Sequence, residues 1–314
     1  MRFFMNKNLL WLAVAFAALL AAAMILIPIG GDFHNFFLPA GAALSHGKNP
    51  YTVPGFYNPF WLAVFFIPFS WLPERLSWGL FLSFSIILYI FALKRLGVKN
   101  LPGMLLMASP FVFYSLCFGN IDSFVLLGAT LPAPVGVWLL LLKPQMSIGL
   151  LAFWAYKAGS IGWKRLLFDF GPVCLTLAVF WGLGWRPRPH PIYLPANLSA
   201  WPWGILPGLV LTWLGIRQSN TLLALSASPF FSPYNSPQTW IVSLLPAHKK
   251  PPLLFFGFLL SWVFVILRMQ IRANALRFEP ALLVGWGVAL ILINLQGKKA
   301  EIRPKQESLG ALNA

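Results

Sequence analysis

The chain has 314 residues, 59% of them hydrophobic and only 10% charged, with a mean hydropathy of +0.74. An average soluble domain carries about 25% charged residues, so a water-soluble surface is excluded and an integral membrane protein with no sizeable soluble domain is expected. The 23 Lys and Arg against 7 Asp and Glu give a net charge of +16, yet the cations gather in short loops, as anchors facing anionic lipid do, and nucleic acid is not an expected partner.

Residues 9 to 29 form the first predicted span. Arg2 and Lys7 before it place the amino terminus in the cytoplasm, and the apolar run is too long for a signal core, so an uncleaved anchor is expected. The stretch 30 to 58 reads as a loop with one short interfacial helix from His34 to Ser45, ended by Gly47 and Pro50. Residues 59 to 72 give an apolar helix that is thin for a crossing, closed by Pro73. Residues 76 to 93 span again, and Lys94 and Arg95 return the chain to the cytoplasm.

Apolar segments follow at 101–117, 120–131, 134–157, 167–185, 202–216, 219–231, 240–247, 252–267 and 280–296. The total is roughly ten or eleven helices, several shorter than the ~20 residues of a simple span. The 27 prolines and 25 glycines predict interrupted helices, which at membrane depth must line protein or a wet cavity. The expected fold is an all-α polytopic transmembrane bundle over 1–297, followed by a polar cytoplasmic tail, 298–314, without fixed structure. Cys117 and Cys174 lie in apolar stretches without a metal or redox spacing.

Asp32 is the first acidic residue, and the next is Glu74. A carboxylate at the mouth of a span must stay hydrated or be held by partners, so Asp32 is either a working group or the cap of the interfacial helix. Lys143 sits in a run broken by Pro144. Either two short helices meet there and turn Lys143 toward the layer of Asp32, or one long helix lets it snorkel or carries it to the cytoplasmic end. Asp122, after Gly119 and Asn120, either binds and orients or is a solvated helix-start residue. His34, two residues from Asp32, either tunes the carboxylate or is an interface residue.

Arg186, Arg188 and His190, with Tyr193, Trp201 and Trp203, suit a lipid-phosphate or sugar site, but the same mixture makes an aromatic belt, which is the favoured reading. Arg268 and Arg272, with Arg277 beyond, suit lipid contact or anchoring. No Gly-rich phosphate loop, acidic DxD pair, His-Glu-x-x-His or nucleophile elbow is present, so a soluble nucleotide-sugar mechanism is not expected.

An ordered set of motifs runs from residue 9 to about 250. Asp32 follows the first span, then come a small-residue helix, Gly47-Lys-Asn-Pro50-Tyr51, Tyr57-Asn-Pro59 and Leu72-Pro73. Gly119-Asn120-Ile-Asp122, Lys143-Pro144-Gln145, Trp163-Lys164-Arg165 and Ser232-Pro233-Tyr234 complete it. In order and spacing the set resembles the GT-C glycosyltransferases that use polyprenyl-phosphate sugars, closest to glycosyltransferase family 87.

The resemblance implies an inverting membrane glycosyltransferase that moves a hexose, mannose in that family, from polyprenyl phosphate to an acceptor lipid or glycan on the non-cytoplasmic face of the cell membrane. Asp32 would be the general base. Lys143, Gln145, His34, Asn120, Asp122 and Tyr57 would meet the donor's phosphate and sugar. Tyr234, Asn235, Gln238, Arg186 and Arg188 would form a donor or acceptor loop. No cofactor beyond the lipid-linked donor is implied, and no metal at Asp32 and Asp122, because a monophosphate donor lacks the diphosphate for which related enzymes recruit a divalent ion. The chain departs from the family in lacking a His in or after the Ser-Pro motif, where Asn235 or Gln238 would substitute, and in being short. A lipid-linked-sugar transporter or a structural membrane subunit is the competing class.

Overall fold

The computed structural model describes residues 28–186, 197–270 and 279–310. The first predicted span lies outside these residues, apart from its last two positions. All regular structure among the described residues is helical, in fourteen α-helices with short 3-10 and π turns and no strand. The number exceeds the expected ten or eleven because apolar runs that read as continuous are broken. The run 101–117 divides into Asn100–Met107 and Pro110–Phe118, and 134–157 divides into Ala133–Leu140 and Ile148–Ile161. Each break precedes or contains a proline, which withholds an N–H and pushes its predecessor out of helical geometry.

Among the described residues, two helices are long and apolar enough to cross a membrane, Glu74–Arg95 and Trp163–Gly182, or three if the bent pair Asn100–Met107 and Pro110–Phe118 counts as one span. Phe60–Ser70, at 11 residues, reaches only about 16 Å, half of a hydrocarbon core.

The chain forms two compact units. The first comprises Met1–Gly97, Val112–Lys143 and Leu167–Pro191. Its core is aromatic: Phe33, Phe66, Trp78 and Phe81 are fully buried, and the Phe33 ring lies 5.3 to 5.9 Å from the other three. Such tilted and edge-on pairs add about 0.5–1.5 kcal/mol each beyond their burial.

Glu74–Arg95 starts after Pro73, ends with Lys94 and Arg95 at its negative pole, and stops at Gly97. Its two faces are unlike those of a helix in water. Ser77, Ser85 and Tyr89 point inward with Trp78 and Phe81, whereas Leu76, Leu80, Phe84, Ile87 and Phe91 recur at helical spacing on the exposed side. Tyr89 Oη donates to Ser115 Oγ at 2.9 Å in the interior. Trp163–Gly182 is more extreme, with Asp169 and Val173 its only buried residues.

The second unit comprises Val98–Phe111, Pro144–Leu166 and Ile192–Ala314. Ile205–Gln218 ends at Ser219 in the left-handed conformation, φ 50°, and Asn220 caps the next helix, Thr221–Ser226, by accepting from the N–H groups of Leu222 and Leu223. Trp240 and Trp286 are buried, and each satisfies its indole N–H on a carbonyl, Leu198 at 2.8 Å and Ser243 at 3.2 Å. Pro251–Gln270 and Glu279–Gly310 complete the unit. The last helix corrects the expected structureless tail as far as Gly310: it continues through a Lys-, Glu- and Gln-rich stretch despite Pro304 within it.

Candidate functional site

Four residues named from the sequence meet in the first unit: Asp32, Asn120, Asp122 and Lys143. Asp32 lies in helical conformation at the start of the π turn Phe33–Phe37, φ −69° and ψ −39°, and makes no side-chain capping bond. It is therefore not the cap of the interfacial helix. Its carboxylate instead reaches across the fold, where its Oδ2 accepts from Asn120 Nδ2.

Two glycines allow that approach. The Pro110–Phe118 helix ends in a Schellman motif, with Gly119 N–H on the Leu116 carbonyl at 3.1 Å and Asn120 N–H on the Ser115 carbonyl at 2.8 Å. Gly119 takes φ +70°, and a Cβ there would lie 2.6 Å from the Trp78 ring. Gly30 packs on the same turn, where a Cβ would meet the Phe118 backbone at 2.5 Å. Asn120 directly follows Gly119 and Asp32 lies two residues after Gly30, and these are the two side chains that bond.

Asn120 is the pivot. Its Oδ1 accepts from Ile121 N–H at 2.8 Å and from Lys143 Nζ at 3.1 Å, while its Nδ2 donates to Asp32. Two donors on one side and an acceptor on the other fix which way the amide points.

Lys143 Nζ also donates to Asp122 Oδ1 at 2.6 Å, in an ion pair whose side chains are 6% and 0% exposed. Asp122 opens the helix Asp122–Gly128 yet is fully buried, so it is not a solvated helix-start residue. Its Oδ2 is buried without a hydrogen bond.

Lys143 sits in the break between two helices, the first of the two geometries its sequence allowed. Asn58 holds that break, its Nδ2 donating to the Leu142 carbonyl at 2.8 Å, and Trp61 Nε1 donates to the Trp138 carbonyl at 3.0 Å. These carbonyls lose helical partners where the chain turns toward Pro144.

Asp32 lies beyond the first predicted span, and its carboxyl is raised from 3.8 to about 6. Burial is the largest cause; Asp122 adds to it, whereas the Lys143 charge and the Asn120 hydrogen bond oppose it. The result is a carboxylate held on one oxygen, whose Oδ1 bonds to no described protein atom and which takes up a proton near neutrality. That combination suits a general base. Among the described residues no three His, Cys, Asp or Glu side chains gather as a metal site, and the positive charge beside the two carboxylates is that of Lys143.

The other named residues lie elsewhere. His34 pairs with Glu74 at an exposed position, so its partner is not Asp32. Tyr57 is half-buried in the loop before Phe60–Ser70. Arg186 stacks over the Trp181 ring at 5.4 Å and donates to the Trp181 carbonyl at 3.2 Å, which anchors it to the end of its own helix. Arg188, with His190 and Tyr193, lies outside the described residues, as do Arg272 and Arg277.

Gln145, Tyr234, Asn235 and Gln238 belong to the second unit. Asn235 is a buried brace: its Nδ2 donates to the Pro229 carbonyl at 2.6 Å, its N–H to Asn197 Oδ1, and its carbonyl accepts from Leu198. Gln238 is buried with its Oε1 lacking a hydrogen bond.

Two further residues are not singled out by the sequence. Asn58 stands there only as the middle of Tyr57-Asn-Pro59, and its role needs the carbonyl of a residue 84 positions away. Asp169, 4% exposed, is the lone carboxylate of an apolar run, and that isolation was the available signal. Compared with models of protein families, with curated proteins and with solved structures, the chain matches none.

Proposed function

We propose that the chain is a multi-pass membrane glycosyltransferase, similar in design to the GT-C enzymes, that transfers a hexose from polyprenyl phosphate to an acceptor hydroxyl on the non-cytoplasmic face. The observation that carries the reading is the linkage of Asp32, through Asn120, to the buried Lys143–Asp122 pair.

In this mechanism Asp32 Oδ1 removes the acceptor proton as the acceptor oxygen attacks the anomeric carbon. The bond between that carbon and the phosphate oxygen breaks on the opposite face, with inversion, and the lipid monophosphate leaves with the electron pair. A carboxyl near pKa 6 is both ionised at neutral pH and basic enough to accept the proton. Lys143 is committed to Asp122 and Asn120, so it serves as a positioning residue and fixed positive charge, and Asp122 holds it in place. Exposed apolar faces on helices of spanning length support the membrane setting. Mannose as the sugar rests on the sequence resemblance.

The test is transfer of radiolabelled mannose from polyprenyl phosphate in membranes, wild type against Asp32→Asn. Transfer that is lost in a folded variant supports the proposal. Full transfer by Asp32→Asn removes the general base. Movement of lipid-linked sugar across sealed vesicles, with no acceptor modified, replaces the enzyme with a transporter.

A further inference from the structure

The segment Leu245-Pro-Ala-His-Lys249 forms a 3-10 turn, and Pro251 then starts a 20-residue helix. Beside this junction, within the second unit, lies a cavity of about 90 Å³ lined by Asn220, His248, Lys249, Lys250, Leu253 and Asn294, among others. Roughly 10–15 Å³ admits one water, so this space holds a small polar group with its hydration. None of its residues belongs to the Asp32 cluster.

The donors and acceptors around it are specific. His248 is 6% exposed, and its Nδ1 donates to the Leu245 carbonyl at 2.8 Å. Its Nε2, bonded to no described protein atom, is then the acceptor nitrogen of the neutral ring. Asn220 spends its Oδ1 on the Leu222 and Leu223 N–H groups, leaving Nδ2 as a donor. Asn294 spends Nδ2 on the Leu290 carbonyl at 2.8 Å, leaving Oδ1 as an acceptor.

Lys250 Nζ donates to the Ile293 carbonyl at 3.3 Å. Among the described residues, no carboxylate lines the cavity or pairs with Lys249 or Lys250. The helix that starts here has no acidic residue in its first turn, and its positive pole adds to the two ammonium charges. Two adjacent cations, a helix start and a polar hollow, with no counter-charge among the described residues, make a site complementary to an anion.

We propose that this cavity binds a phosphate group with a hydroxyl attached or beside it, either the P–OH of hydrogen phosphate or the free glycerol hydroxyl of a phosphatidylglycerol headgroup. Lys249, Lys250 and Asn220 meet the charged oxygens. His248 Nε2 and Asn294 Oδ1 accept from the hydroxyl.

The experiment uses the full chain with ¹⁵N-labelled histidine in phosphatidylcholine nanodiscs, the His248 ring signal being assigned with His248→Gln. Titration with inorganic phosphate gives a saturable shift of that signal, weakened about tenfold or more in Lys249→Gln/Lys250→Gln and for sulfate, which brings no hydroxyl at neutral pH. The His34 and His46 signals stay in place and report an intact fold. A shift seen only in phosphatidylglycerol discs assigns the site to a lipid headgroup, and a shift in phosphatidylcholine discs assigns it to the free ion. No shift with either probe, a shift that the double lysine variant leaves unchanged, or equal movement of all histidine signals overturns the proposal. Glycosyl transfer enters none of these readouts, so the site stands or falls apart from the Asp32 reaction.

Discussion

At pH 7.5 Asp32 is ionised in a setting that disfavours its charge. A folded-state value of about 6 against 3.8 means that the folded chain binds this proton more tightly than the unfolded chain does. The stability associated with Asp32 is therefore greatest below 3.8 and falls as pH rises to about 6. Asp32→Asn keeps an acceptor for Asn120 and removes the charge. Thermal unfolding in detergent at pH 7.5 should show it more stable than wild type by about 1–2 kcal/mol, with transfer lost. The wild-type rate should climb along an acid limb centred near pH 6, read from kcat/KM against pH; a limb near 4 would contradict a buried base. The Asp122–Lys143 pair makes the opposite kind of prediction. Lys143→Met strands a fully buried carboxylate and should cost about 3–5 kcal/mol, whereas Asp122→Asn with Lys143→Met should recover most of it. Additive losses in denaturant unfolding would show that the two do not act as a pair. Asp32 stood out in the sequence because a carboxylate beside a long apolar run is costly wherever it ends up. Asn120 as the pivot did not, because its partners are 88 and 23 positions away, and nothing local distinguishes it from an ordinary turn residue.

The turn Gly119-Asn120 is what the Pro110–Phe118 helix contributes to the site. Gly119→Ala imposes a left-handed conformation on a residue with a Cβ and drives that Cβ into Trp78 and Phe33. We expect a loss of about 2 kcal/mol or more, together with a fall in transfer as Asn120 moves away from Asp32. Measured stability equal to wild type would mean that the turn yields without strain. Helix existence was largely readable along the chain, since apolar runs and Gly or Pro punctuation act within a few residues. Helix continuity was not. The segment 101–117 looks like one span by hydropathy, yet it divides before Pro110, and whether a proline kinks or ends a helix depends on which neighbours satisfy the freed carbonyls. Asn58 and Trp61 provide those partners near Lys143, from a segment that reads in isolation as loop and short helix.

Leu80 on Glu74–Arg95 and Leu175 on Trp163–Gly182 are 43% and 66% exposed, on faces that are otherwise apolar. In a bilayer these faces meet lipid. Leu80→Lys or Leu175→Lys should then cost about 2.5–3.5 kcal/mol of membrane insertion, seen as reduced membrane-integrated protein after alkaline carbonate washing. Unchanged integration of both variants would place these faces against water. Composition by itself determined the kind of element: 59% hydrophobic against 10% charged residues gives apolar helices, which satisfy their own backbone and, in two or three cases among the described residues, are long enough to cross a membrane. Those conclusions follow from transfer free energies that add residue by residue, so no contact map is needed. Only the tertiary structure decided that Asp122 is paired and buried, that His34 turns to Glu74, and that Asp32 is tied to Lys143 through one amide. Each of these depends on groups far apart in the chain meeting within about 3 Å, a distance that periodicity and composition do not encode.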